Sequence, residues 1–344
     1  MQKRLEPGEL LNKKGWLNEA GYAREPVKTY DPKRVKHSRL KRKEWDYYYI
    51  QNDECGIAFT VADNGYMGLL SVSVMNFIEK SVHTKSKTLL MPLGRLGLPA
   101  SSVKGDVSVK KTGFEVTFKN NQKSRVIDVY IDKFQGDKTF NASIALFDEP
   151  KDSMVIATPF EEDKAMFYYN RKVLGFKASG QAAIGNDKMD FTEDSSFGLL
   201  DWGRGVWPHT VTWYWAAFYE KRQDKEIALN LGYGFGDLSN ATENMLFING
   251  KAHKLGDIVF EIQRDEKTGE RILDEPWNFT SKDGRIRGLF TPELKRIDKV
   301  DLKVLKSHQA QVFGTFMGTV VLEDGKPLEI GPMRGFAEVV ENKW

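Results

Sequence analysis

Between Asp201 and Trp215 the chain reads DWGRGVWPHTVTWYW, so four of its eight tryptophans fall within fourteen positions, beside an acid, an arginine and a histidine. The first part, DWGRGVWP, holds two glycines and a proline and is expected to be a loop or bulge. The second part reads as a strand, on which His209, Val211, Trp213 and Trp215 share one face and Thr210, Thr212 and Tyr214 the other. Facing a barrel interior, the first set would make an aromatic wall for an apolar or planar ligand. Trp202 and Trp207 would extend that wall, with His209 and Asp201 as acid and base and Arg204 as a clamp for an anion or carbonyl. The packing alternative is that the tryptophans fill a β core while Asp201 pairs with Arg204. An indole N–H needs a partner when buried, and four indoles beside three polar groups favour a site.

Three other segments carry candidate groups. Tyr168-Tyr169-Asn170-Arg171-Lys172 sets polar side chains among aromatics; Tyr168 and Asn170 are candidate ligand contacts, with a loop stitched to a neighbouring sheet as the alternative. Leu231 to Asp237 (LGYGFGD) superficially resembles a phosphate-cradling loop, but its glycines alternate with aromatics at strand period. A bending strand against which a large indole packs is the better account. Beyond it, Glu243 and Asn244 are possible rim groups. Ser307 to Gly318 places His308, Ala310, Val312, Gly314 and Phe316 on one face, with His308 either a second imidazole in the pocket or a hydrogen-bonded structural histidine.

Other chemistries find no support. The five histidines (37, 83, 209, 253 and 308) lack paired ligand spacing and Cys55 is alone, so no metal site is expected. A GxSxG elbow and a Walker sequence are absent, and no cofactor is expected.

The elements that must position these groups read as β structure. Aromatics make up 12% of the 344 residues, with 30 glycines, a composition of strands and turns. Turn pairs recur between alternating segments: Asn64-Gly65, Asn120-Asn121, Asn249-Gly250, Thr268-Gly269, Asp283-Gly284 and Asp324-Gly325. Helical signals are confined to short turns at Phe160 to Lys172 and in ELLNKKGW. The expected fold is all-β and antiparallel: two tandem barrels or strongly curved sheets with few short helices. Residues 1–40 form an irregular arm that Trp16 and Tyr22 could pin down, 41–185 a first domain and 186–344 a second, with the boundary near Gly175 to Asp187. A basic run from Lys33 to Lys43 reads as a solvated face. The net charge of +3 calls for no polyanion, so no nucleic-acid partner is expected. No apolar run reaches the ~18 residues of a membrane span, and the N-terminus lacks an apolar signal segment. A single cysteine fits a reducing compartment, so the expectation is a soluble cytoplasmic chain.

The DWGRGVWPHTVTWYWAAF segment resembles the bacterial family catalogued as domain of unknown function 2804. KEWDYYYI, FYYNRK, GYGFGD with ATENMLFINGKAHKL, and GFAEVVENKW agree with it, so the resemblance spans essentially the whole chain. More distantly, an acid followed by Trp-Gly, Pro and Trp-x-Trp is similar to tocopherol cyclases and carotenoid hydratases. That resemblance implies two lipocalin-like barrels side by side.

Three functions follow as expectations. One is a cofactor-free isomerase, hydratase or cyclase in which His209 or Asp201 protonates an alkene or carbonyl and tryptophan faces stabilise the developing cation. A second is a non-catalytic carrier or sensor of an apolar or aromatic small molecule. The third is a carbohydrate-active enzyme drawing on acids such as Asp201, Asp237 and Glu243.

Overall fold

The computed structural model describes residues 2–222, 225–301 and 306–343. Among them there is no α-helix, only the 3-10 turn Pro32–Arg34, and no helix long and apolar enough to cross a membrane. Two large sheets, antiparallel throughout, account for most of the chain. The first runs, in spatial order, Ser81–Leu90, Met67–Asn76, Cys55–Asp63, Lys43–Gln51, Phe197–Val206, Phe167–Ile184, Lys138–Phe147, Ser124–Gln135, Phe114–Asn120 and Val107–Lys111. Met154–Pro159 and Asp187–Phe191 pair with the two halves of Phe167–Ile184. The second sheet runs Lys251–Lys254, Met245–Ile248, Lys225–Tyr233, Thr210–Arg222, Pro327–Lys343, Lys306–Val321, Ile286–Asp301, Trp277–Ser281 and Ile258–Glu261.

Each sheet curls until its ends approach. In the first, Lys87 Nζ donates to Thr112 O at 2.6 Å, and Gln135 Nε2 lies 2.8 Å from His83 Nε2. In the second, Phe260 N donates to the Tyr233 hydroxyl at 3.3 Å. The expected turns fall between strands, and at Asn249-Gly250 both residues take positive φ (49° and 70°), as a two-residue hairpin requires.

Alternation along the strands locates three cores. Ser124–Gln135 buries Arg125, Ile127, Val129 and Ile131 while the intervening residues are wetter, so one of its faces meets solvent. Lys43–Gln51 and Cys55–Asp63 are buried on nearly every residue. Their even and odd positions enter different cores: Tyr48, Ile50, Phe59 and Val61 fill the first barrel, whereas Tyr47, Tyr49 and Ala58 meet the second sheet. The second barrel has its own interior of Phe218, Trp277, Phe279, Phe290 and Phe316. Two filled barrels therefore pack back to back, with the third core between them.

The sheets divide between Val206 and Thr210, later in the chain than the boundary expected near Gly175 to Asp187. The glycine-rich stretch there is the middle of the long strand Phe167–Ile184. At Gly175 (φ 100°) the register shifts, letting one strand bend and serve two sets of neighbours. The expected helical turn at Phe160 to Lys172 is likewise a short loop leading into this strand. The N-terminal arm ties the sheets together. Gly21–Ala23 pairs with Met154–Pro159, Lys3 N donates to Asn240 O at 2.8 Å, and the Gln2 amide bonds Thr242 N and Leu255 O.

Candidate functional site

A cavity of about 490 Å³ opens between the two sheets rather than inside either barrel. Strand register explains its walls. On the first sheet Lys172, Asp201, Tyr47, Thr60, Ser71 and Ser86 stand opposite one another on six successive strands, all facing the cavity. On the second sheet Trp215, Glu338, Gln311 and Arg296 form the corresponding row on four strands. Three contacts align the rows. The Lys172 ammonium lies over the Trp215 ring, 4.8 Å from its centroid; Gln311 Nε2 approaches the Tyr47 hydroxyl at 3.4 Å; and Arg296 Nη1 donates to Ser73 Oγ at 3.1 Å.

At one end the chemistry is ionic. Lys172 Nζ lies 2.9 Å from Glu243 Oε2 and 3.8 Å from Asp201 Oδ1, and donates to Asn170 Oδ1 at 2.9 Å. Asn170 Nδ2 donates to Asp201 Oδ1 at 2.5 Å and to Trp202 O at 2.9 Å, which fixes the acid beside the ammonium. Glu243 reaches this point because Gly232, opposite Trp215, has no Cβ in the way of its carboxylate. Burial alone would pull the Lys172 pKa down, but Asp201 and Glu243 outweigh it and hold the value above the ordinary one, so the ammonium stays charged. Burial raises Asp201 despite the opposing pull of Lys172, Asn170 and Trp45.

Midway along the cavity stands Glu338. Trp213 Nε1 donates to one carboxylate oxygen at 3.1 Å and Gln311 Nε2 to the other at 3.2 Å. Burial pushes its pKa up to about 7, against the lowering effect of the Trp213 bond and of Arg296. This carboxyl can exchange a proton near neutrality.

The aromatic wall comes from both sheets. Trp45 stacks on Tyr168 (5.9 Å) and meets Trp207 edge-on (5.4 Å), while Phe235 packs against Tyr168, Trp207 and Trp213 at 4.5 to 5.2 Å. Gly203 is required here, since any Cβ would enter the Trp45 ring. Phe235 comes from the GYGFG stretch, half strand and half turn, with Gly234 and Gly236 at positive φ. The opposite flank carries hydroxyls, with Ser71 bonded to Ser86 and Ser73 to Thr84, each at 2.8 Å. Trp207 Nε1 and Gln311 Oε1 are buried without hydrogen-bond partners among the described residues.

Of the candidates drawn from sequence, Asp201, Trp207, Trp213, Trp215, Tyr168 and Glu243 line this cavity, and Asn170 holds Asp201 from behind. The others lie elsewhere. DWGRGV belongs to the strand Phe197–Val206, not to a loop, so strict alternation sends Trp202 and Arg204 to the face opposite Asp201. Arg204 is fully buried there, bonded to Asp46 Oδ1, Trp45 O, Gly203 O and Pro99 O, with its guanidinium over the Trp202 ring. It pairs with Asp46 and not with Asp201. His209 is exposed in the turn before Thr210, where strand alternation has not begun. The face of Lys306–Val321 that enters the cavity carries Gln309 and Gln311, not His308. Asn244 straps the second barrel, accepting from Gly232 N and donating to Gly256 O.

Lys172, Glu338, Gln311, Arg296, Trp45 and Tyr47 were not among the candidates. Two of them left a signal. Glu338 interrupts the apolar run Phe336 to Val340, and Lys172 stands between the aromatics of FYYNRK and the apolar VLGF. A charge inside an otherwise buried strand is the kind of signal that singles a position out. Among the described residues, no three His, Cys, Asp or Glu side chains gather in a way that would hold a metal ion.

The profile of the family described as "Domain of unknown function (DUF2804)" matches residues 2–344. The chain belongs to the DUF2804 family. No curated protein matches it. Among solved structures, this DUF2804 protein is similar to a protein labelled AttH (NE1406) from Nitrosomonas europaea. The TM-score is 0.54 at 14% identity, covering 92% of this chain and 98% of that one. Kievitone hydratase from Nectria haematococca aligns with a TM-score of 0.47 at 12% identity, over 93% and 97% of the two chains. CghA, solved with Sch210972, aligns at 0.44 and 10% identity, over 88% and 89%. At these identities the likeness concerns the fold, two lipocalin-like barrels in tandem.

Proposed function

We propose that this DUF2804 protein is an acid–base enzyme of the isomerase, hydratase or cyclase type, acting on an amphipathic small molecule held between its two barrels. The observation that carries this reading is the placement of Glu338, a carboxyl with a pKa near neutrality that faces an aromatic-walled cavity. In its protonated form Glu338 donates a proton to an alkene carbon or carbonyl oxygen. The π face of Trp213 stabilises the positive charge that develops. The carboxylate then takes a proton back, from an adjacent carbon in an isomerisation or from the attacking water in a hydration. Atoms and charge balance with no electron transfer.

This reading moves the acid from His209 and Asp201 to Glu338. Asp201 instead neutralises Lys172 and fixes the ionic end of the cavity. The hydroxyl flank supports an amphipathic ligand over a wholly apolar one. A glycosidase reading has less support: Asp201 and Glu243 both face one ammonium, and Asp237 lies on a separate surface groove beside Phe160 and Thr212.

The test is a screen of unsaturated amphiphiles in deuterium oxide, following carbon-bound deuterium by mass spectrometry. Incorporation by the wild type that Glu338→Gln loses supports the proposal. Incorporation at an equal rate in both takes Glu338 out of the reaction and overturns the proposal, and binding of these molecules with no exchange at all supports a carrier instead.

A further inference from the structure

The two cations of the cavity differ in one respect. Lys172 is saturated by Glu243, Asp201 and Asn170. Arg296, at the other end of the Trp215–Glu338–Gln311–Arg296 row, has no carboxylate partner among the described residues and makes one hydrogen bond, to Ser73 Oγ. Four of its five N–H donors have no protein partner among the described residues. Asp298 shares its strand face and is exposed on the rim without engaging it, and Glu338 stands two strands away. A half-buried guanidinium with open donors is a receptor for planar anionic oxygen groups. Behind it, the paired hydroxyls of Ser73 and Thr84 offer further hydrogen bonds.

We infer that the cavity selects an amphipathic substrate carrying one anionic oxygen group, in the simplest case a carboxylate, which Arg296 receives while the apolar body lies along Gln311, Glu338 and Trp215. Register sets a ruler for this substrate. Arg296 and Glu338 lie on strands two positions apart, and strands are spaced ~4.8 Å, so roughly 10 Å separates the two residues' backbones and the anionic group is held apart from the atom that exchanges a proton. This specificity rests on the acid–base reading only for what happens at Glu338. Recognition of the anion stands without it.

The probes are anilinonaphthalene sulfonate, an anionic aromatic, and phenylnaphthylamine, the same ring system without the charge. Both are followed by fluorescence on the full chain. Wild type is expected to bind the sulfonate more tightly, and Arg296→Met to weaken it by roughly tenfold or more while leaving the neutral probe within about twofold. Arg296→Lys should restore part of the loss, and Trp215→Leu should weaken both probes. No sulfonate binding by wild type, an unchanged affinity in Arg296→Met, or an equal loss of both probes would each overturn the inference. Glu338→Gln separates the two proposals. If it abolishes deuterium exchange and keeps sulfonate binding, both stand; if exchange is unaffected while Arg296 still governs sulfonate binding, only the acid–base reading falls.

Discussion

The Lys172 ammonium sits 4.8 Å from the centre of the Trp215 ring, although Lys172 belongs to the first sheet and Trp215 to the second. This contact, with the Lys172–Glu243 ion pair, joins the barrels at the buried end of the cavity. Lys172→Met should leave Asp201 and Glu243 facing each other without a cation and cost roughly 3–5 kcal/mol in urea unfolding. Adding Glu243→Gln should recover part of that loss, because one of the two stranded charges is removed. A single variant as stable as wild type would show that the pair carries no such coupling.

Glu338 makes stability depend on pH. Its folded pKa of about 7 lies above the ordinary carboxylate value, so between about 4.5 and 7 the folded chain holds a proton that the unfolded chain has released. Its contribution is therefore fully present below the unfolded value and lost as pH rises through 7. Relative to Glu338→Gln, wild type should lose on the order of 1–2 kcal/mol across that window, allowing for water in the cavity. Unfolding curves at pH 5 and pH 8 for both proteins measure the difference.

Catalytic exchange should follow the same carboxyl. Glu338→Gln is expected to lower the deuterium incorporation rate by about 10²–10⁴. Rate–pH profiles on any active amphiphile should then break near neutrality in wild type and flatten in the variant.

Arg204 provides the contrast with Arg296. Removing its side chain leaves Asp46 buried without its partner and several carbonyls unbonded, so Arg204→Met should cost roughly 3–5 kcal/mol. Probe affinity of the folded protein should stay within about twofold. His209→Ala, at an exposed turn, should change stability by less than ~0.5 kcal/mol and leave deuterium exchange intact. Loss of exchange in that variant would return His209 to the mechanism.

Gly203→Ala tests the aromatic wall. The new methyl meets the Trp45 indole within a packed face, so a loss of about 1–3 kcal/mol and a shifted tryptophan emission are expected.

The class of fold was legible in the residue order, because turn chemistry and alternation are local. Asn249-Gly250 forms its tight turn from its own backbone preferences, and Ser124–Gln135 declares its wet and dry faces residue by residue. The tryptophan cluster was legible for the same reason, and it does mark the cavity through Trp207, Trp213 and Trp215. Which groups meet there depended on how one sheet packs against the other. Lys43–Gln51 and Phe197–Val206 are buried on both faces, so apolar character no longer says which face enters a barrel and which meets the other sheet. That choice placed Asp201 in the cavity and Arg204, three residues on, in the first core. It also brought Glu338 and Arg296, more than a hundred residues beyond Lys172 in the chain, into one row opposite it. Cross-strand register and sheet-on-sheet packing are long-range relations, and no spacing along the chain encodes them.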